Sequence, residues 1–505
     1  MAYPCYFCHV KKFILPFSII LLGLWMVLQP SCTPVTKDKT LSHEDSLLQK
    51  VKEYLDWEGQ NGFSGVVLVQ FGKAPLLIKS YGYANRELGI PNAPDEVFDI
   101  GSLVKQFTAA AILKLEMQGK LSVTDSVGKY FKGLSPEKQC ITIHELLIHT
   151  SGLPFKSGSD YEPSSKEELI VNFKEVSLVS APGKAYNYSH FGYSLLGAII
   201  ESASGMTYEN YLRENLFLPS GMKSTGYILP DWEDKKIAHG YRNCRDWGRP
   251  MDLNWLDNGP NWNVRASCAM LSNALDLYAW HKALKGDDIL DAKAKEKYYH
   301  PYLTKEMYKG VNYAYGWKVL TSRRGTYAYA HNGGNGRFYS DFLRYLTDDV
   351  TILVLSNRFR HGDPSMSYEI ASCIFTPNHK AEIHGQLTEC LDSLPNNRTG
   401  QIAKQFLHRI TTSEQNLSFA EVKPLLASHL IKKYPEKRLN SFFHFLRNHL
   451  AGADITQVKI TDSRIVELNL SGDHNQKKLF LRLILDENED YKIRGIMYDD
   501  NYGNR

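Results

Sequence analysis

Ser102 and Lys105 stand three residues apart in FDIGSLVKQFTAAAILKLEMQGKL, residues 98–121. A serine hydroxyl is a weak nucleophile until a neighbouring base takes its proton. A lysine can be that base near neutral pH when an apolar setting lowers its pKa. At i and i+3 the two side chains share one helix face. The partial positive charge of a helix N-terminus would favour an oxyanion formed there. The competing reading is that Ser102 caps a helix, as serine often does. Spacing alone does not choose between them, because S-x-x-K also begins at Ser126, Ser135 and Ser220. Setting separates the four. Gly101 permits close backbone approach or an unusual φ before Ser102. Apolar side chains from Leu103 to Met117 then mark a helix over 103–118, with Gly119 as its stop. The other three serines open no such helix; Pro or Gly interrupts each motif.

These residues must be positioned by the elements around them. Before them, FSGVVLVQFGKAPLLIKSYGYANREL places two Val/Ile/Leu/Tyr/Phe-rich runs around FGKAP, the pattern of a β-hairpin. After them the chain is mostly helical and loopy to about residue 290. Ser165 and Glu168 make a capping box, and Gly205 and Gly286 end further helices. Strand patterns return in YAYGWKVLTSRRGTYAYAHNGG and FYSDFLRYLTDDVTILVLSNR. Strands, a helical insert and strands again imply one mostly antiparallel sheet built from both ends of a domain. Helices would cover its faces, and the insert would form a second lobe, an α/β (α+β) architecture. Beyond a linker at 376–400, residues 401–505 read as helices followed by short alternating runs, a separate small α+β module with an antiparallel meander.

The chain has 505 residues, 43% hydrophobic and 23% charged, enough for more than one globular core. A net charge of +4 without a basic cluster argues against nucleic acid as a partner. The eight cysteines are scattered, so a dense disulfide framework is not expected. Cys5 and Cys8 lack the second pair or histidine that a zinc site needs. Lys11 and Lys12 precede an apolar run from Phe13 to Leu28, shorter than the ~20 residues of a spanning helix. The run ends in Gln29-Pro30-Ser31-Cys32, which resembles a bacterial lipoprotein cleavage site. Residues 1–32 are therefore expected to export the chain to the cell envelope, periplasm or outer membrane. Cys32 would be lipidated, and 33–59 would form a tether and first helix. Plain secretion and a retained anchor are the other readings of the same segment.

The segment from Ser102 to Val127 resembles the nucleophile segment of the serine β-lactamase-related family, which includes class C β-lactamases, D-alanyl-D-alanine carboxypeptidases and esterases of one fold. Further similar segments follow in the family's order: ITIHELLIHTSGLP, PGKAYNYSHFGYSLLGAIIE, TYENYLRENLFLPSGMKST, SNALDLYAW and AHNGGNGRFYSDF. The likeness covers about 60–375. It implies that Ser102 accepts the acyl group, Lys105 is its base or proton relay, and Tyr188 is a second acid/base whose phenol Lys105 could help to ionise. It implies that His331 sits on a strand edge facing the serine, orienting substrate or supplying a proton or charge. The N–H groups of Ser102 and Gly334 would form the oxyanion hole. His149, in HTSG, reads as structural.

Two departures bear on substrate. Where the family has Y-x-N, this chain has Tyr188-Ser189-His190. A histidine cannot reproduce the hydrogen bonding of a carboxamide, so His190 puts recognition of acyl-amide substrates in question. His331 stands where class C β-lactamases carry lysine, which favours peptidase- or esterase-like members. A smaller departure is Cys268-Ala269 in place of a glycine pair. The expected activity is serine hydrolysis of a small-molecule or peptide substrate, an ester or D-amino-acid peptide, through an acyl-enzyme. No cofactor and no metal are expected. The alternative is a non-catalytic binding or sensor protein for cell-wall peptide or β-lactam on the same fold.

Overall fold

The computed structural model describes residues 43–499, except 61, 161, 233–235, 243–244, 253–254, 257–258, 305, 308–311, 359–365, 377–378, 380–397, 413–418, 451–453, 463 and 472–477. The export segment, Cys32 and the Cys5–Cys8 pair lie outside the described residues. Among the described residues no helix is long and apolar enough to cross a membrane.

One seven-stranded antiparallel sheet organises the larger part of the chain. Its order is Leu77–Tyr81, Gly65–Phe71, Val350–Ser356, Tyr339–Tyr345, Tyr327–Gly334, Lys318–Thr321, Asn312–Tyr313. The N-terminal hairpin therefore pairs with the last strand of the domain, from Gly65 opposite Ser356 to Phe71 opposite Val350. This is the closure from both ends that the strand–insert–strand pattern implies.

The two interior strands GVVLVQF and VTILVLS are apolar almost throughout because both of their faces are covered. Val67, Val69, Ile352 and Val354 pack with Leu48, Val51 and Leu55 of helix His43–Gln60 and Ile370 and Cys373 of helix Met366–Phe375. Val66, Leu68, Leu353 and Leu355 face the other way, into the core of the helical lobe. Alternation of side chains across the pleat divides the strands between the two cores.

The lobe is built around helix Val104–Met117, buried on nearly every side. Phe107 on this helix meets Phe217 and Trp280 edge-on, each at 5.1 Å between ring centres. Helix Lys166–Glu175 starts with the expected Ser165–Glu168 capping box, and helix His190–Ser204 ends at Gly205, whose φ is 75°. A side chain there would be strained, so glycine is the residue that can stop the helix in this conformation.

Residues from Arg398 onward carry helices Arg398–Thr412 and Glu436–Leu450, then four antiparallel strands in sequence order. Phe406, Phe443, Val466, Leu468, Leu481, Leu483 and Ile493 form a hydrophobic core of their own.

Candidate active site

The nucleophile turn is built before its helix begins. Gly101–Leu103 form one tight 3-10 turn, and helix Val104–Met117 follows. Ser102 makes no cap hydrogen bond, so the capping reading does not describe it. The turn is fixed from behind by Asp99. Its Oδ1 accepts the Gly101 N–H at 2.8 Å and its Oδ2 accepts Asn335 Nδ2 at 2.8 Å. Burial raises the Asp99 pKa to about 6. Gly101 has φ 50°, and a Cβ there would lie 2.6 Å from Gly334 N. A Cβ on Gly333 would lie 2.3 Å from Ile100 O and 2.7 Å from Ser102 N. Both glycines are thus required for the strand Tyr327–Gly334 to lie against the turn. That contact brings the backbone at Ser102 and Gly334 together, as an oxyanion hole from these two residues demands.

Strand Phe98–Asp99 pairs with Leu271–Ser272, which carries the loop before Leu271 up to the nucleophile. Ser267 O accepts a hydrogen bond from Lys105 Nζ at 2.8 Å, and the same Nζ lies 3.2 Å from Ser102 Oγ. Lys105 has no solvent exposure. Its ammonium lies over the Tyr188 ring at 4.8 Å and the Tyr193 ring at 5.4 Å. Burial lowers its pKa from 10.5 to about 8, with Cys268 and Asp160 opposing the change. Among the described residues no carboxylate forms an ion pair with it, and that is the condition under which a lysine becomes a usable base.

Tyr188 lies beside Ser102, whose side chain favours the ionised phenol. Burial holds its pKa well above 10. The phenol is therefore a neutral proton donor, and the ionised form that Lys105 was expected to promote is not favoured, because loss of solvation dominates. His149 supports this residue from below. Its Nδ1 accepts the Ser189 N–H at 3.0 Å, and its ring lies 4.3 Å from that of Tyr188. His149 itself has φ 61° and is fully buried.

His190 begins helix His190–Ser204, after Ser189 as N-cap. Its Nδ1 lies 3.2 Å from Cys268 Sγ, and that Sγ lies 3.4 Å from Ser102 Oγ. Burial and the positive charge of Lys105 hold His190 neutral, and burial raises the Cys268 thiol.

His331 is placed differently from expectation. It is buried on strand Tyr327–Gly334, where Tyr313 OH lies 2.9 Å from Nε2 and the Asn332 carbonyl 2.8 Å from Nδ1. The carbonyl can only accept, so Nδ1 carries the proton and Nε2 accepts from Tyr313. Burial, Lys318 and Lys105 keep the ring neutral. Both nitrogens are engaged, so the proton or charge expected of His331 is not available at neutral pH. Its place is in the wall behind Tyr188, 6.3 Å away between ring centres.

Ser102, Lys105, Tyr188, His190 and the Gly333–Gly334 backbone thus converge. Asp99, Tyr313 and the Ser267 carbonyl were not singled out from the sequence. Asp99 had a readable signal, an Asp two residues before a glycine turn. Cys268 stands out in the sequence only as a departure from a glycine pair. For metals, among the described residues His429, Asp486 and Glu489 group their ligand atoms within 4.8 Å. Glu489 is already engaged by the Ser428 N–H and hydroxyl, each at 2.7 Å.

The sheet closed by both ends of the domain, with a serine and a buried lysine at the head of the lobe's central helix, defines a β-lactamase-like serine hydrolase class. The family profile described as Beta-lactamase matches residues 47–372, and the chain belongs to that family. It is 29% identical over 316 residues to penicillin-binding protein 4* of Bacillus subtilis, covering 59% of this chain and 68% of that one. The fold superposes on a penicillin binding protein from Bacillus halodurans with TM-score 0.53 and 26% identity, over 65% of this chain and 98% of the other. A class C β-lactamase aligns with TM-score 0.57 at 18% identity, over 67% of this chain and 98% of the other.

Proposed function

We propose that the protein is a serine hydrolase that opens ester or amide bonds through an acyl-enzyme on Ser102, acting on small esters or D-amino-acid peptides. The observation that carries this is Lys105 Nζ, desolvated and 3.2 Å from Ser102 Oγ. Neutral Lys105 takes the Oγ proton as Oγ bonds to the substrate carbonyl carbon. The carbonyl oxygen becomes an oxyanion held by the N–H groups of Ser102 and Gly334; each such donor is worth about 3–4 kcal/mol of barrier. The neutral Tyr188 hydroxyl and the protonated Lys105 return a proton to the departing oxygen or nitrogen. Water, deprotonated by the same lysine, then releases the acyl group from Ser102. His331, Tyr313 and His149 hold the tyrosine and the strand in place.

Names of relatives that refer to penicillin binding support an acyl-enzyme chemistry rather than a particular substrate. His190, in the place of a carboxamide, points toward esters. The leader supports action outside the cytoplasm, anchored through lipid on Cys32; palmitate labelling lost in Cys32→Ala would test that anchor.

The central test is covalent labelling of the full chain by a fluorophosphonate and by a fluorescent penicillin, beside Ser102→Ala. Labelling of the wild type alone, followed by turnover of p-nitrophenyl acetate, is the expected result. Equal labelling of both proteins would remove Ser102 as the nucleophile. A stable label with no turnover of any ester would favour the binding or sensor reading.

A further inference from the structure

The mechanism leaves one nucleophilic side chain unused beside the reacting atom. Cys268 Sγ is 3.4 Å from Ser102 Oγ, and His190 Nδ1 is 3.2 Å from the same sulfur. The position of the thiol is rigidly set. Tyr227 OH accepts the Ala266 N–H at 2.9 Å and donates to the Cys268 carbonyl at 3.0 Å. The Cys268 N–H donates to Val264 O at 2.8 Å, and Ser267, next in the loop, holds Lys105. Tyr227 is itself fully buried. Ala266 and Ala269, on either side, have φ 66° and 62°, so the loop keeps a strained path to present this segment.

A carbonyl carbon about to react sits about 3–3.5 Å from Oγ. Its oxygen goes toward the Ser102 and Gly334 N–H groups. Its leaving group goes toward the proton donors, Tyr188 and Lys105. The acyl substituent takes the remaining side, where Cys268 Sγ and the His190 ring stand. His190 is neutral and its Nδ1 already faces the sulfur, so this wall offers at most one imidazole nitrogen where a carboxamide would both donate to and accept from an amide in the acyl group. An unpaired amide pressed against such a wall loses its water without replacement.

We infer that Cys268 and His190 together set acyl-group selectivity: at Ser102 they favour short acyl groups over those that carry an amide beside the carbonyl. This rests on Ser102 being the nucleophile.

The test compares p-nitrophenyl acetate with p-nitrophenyl N-acetylglycinate, which share a leaving group and differ only in the acyl part. The proteins are the full chain, Cys268→Gly, Cys268→Ser, His190→Asn and Ser102→Ala. The wild type is expected to prefer acetate in kcat/KM. Cys268→Gly should raise kcat/KM for the N-acetylglycyl ester about tenfold or more, the discrimination that one or two atoms produce in a tight pocket. Its effect on acetate should be the smaller one, so that the ratio of the two kcat/KM values shifts toward the N-acetylglycyl ester. His190→Asn should move selectivity the same way, and Cys268→Ser, similar in size and hydrogen bonding, should keep the wild-type preference. Parallel changes for both esters in Cys268→Gly, or a serine variant that behaves like the glycine one, would overturn the selectivity role. Ester turnover that survives in Ser102→Ala would overturn the underlying nucleophile assignment instead, so the two failures are separable.

Discussion

Lys105 makes the most demanding prediction. With a pKa of about 8, imposed mainly by burial, the neutral amine that can accept the Ser102 proton is about one molecule in ten at pH 7 and about one in a hundred at pH 6. The acylation rate constant should therefore rise about tenfold per pH unit up to pH 8 and level off above it. The same burial predicts a stability change. In the unfolded chain the lysine returns to its ordinary 10.5. Between pH 8 and 10.5 the unfolded chain thus binds more protons than the folded one, and stability rises with pH through that window. Below pH 8 the folded protein carries the full penalty of a buried ammonium, about 3 kcal/mol at 1.36 kcal/mol per pKa unit. The assay is the second-order rate of Ser102 labelling by a fluorophosphonate from pH 6 to 10, with urea unfolding midpoints at the same pH values. Lys105→Met should lower the rate by at least about a hundredfold, the lower end for a lost general base, and flatten the profile. A wild-type profile flat from pH 6 to 9 would refute the reasoning, because no group would then titrate on the path. A break near pH 6.5 would also refute it, since that is imidazole behaviour and both His190 and His331 are held neutral by burial.

Three further outcomes are expected. Gly101→Ala places a Cβ 2.6 Å from Gly334 N at a backbone φ of 50°. The strand must move off the turn, and acylation should fall by about 10²–10³, the loss that follows a misplaced oxyanion donor, read as burst rate on p-nitrophenyl acetate. Methyl methanethiosulfonate should convert the Cys268 thiol to a methyl disulfide, releasing methanesulfinate and a proton. With the sulfur 3.4 Å from Ser102 Oγ, fluorophosphonate labelling should drop until dithiothreitol restores it, and Cys268→Ala should be indifferent to the reagent. Ala269→Gly relieves a positive φ of 62°. Relief of about 1 kcal/mol, less the added freedom of glycine in the unfolded chain, should raise stability by about 0.5 kcal/mol, measured as the urea midpoint.

Periodicity and punctuation in the sequence were sufficient for the frame. The hairpin, the apolar return strands, the Ser165 capping box and the Gly205 stop are local patterns, and local patterns are written in neighbouring residues. Ser102 and Lys105 were also legible as a pair, since three residues across a helix entry bring the two side chains to one side of the turn. The rest of the site depended on distances that no local pattern encodes. Ser267 and Cys268 reach Ser102 because strand Phe98–Asp99 pairs with Leu271–Ser272. His331 lost its expected proton-donating role because Tyr313, eighteen residues earlier in the chain, fills its Nε2. Tyr188 stays protonated because burial, reinforced by Cys268, raises its phenol further than the Ser102 side chain lowers it. Sequence determined which residues could react. Tertiary packing, by deciding what each buried polar atom meets in place of water, decided which of them can act and in which protonation state.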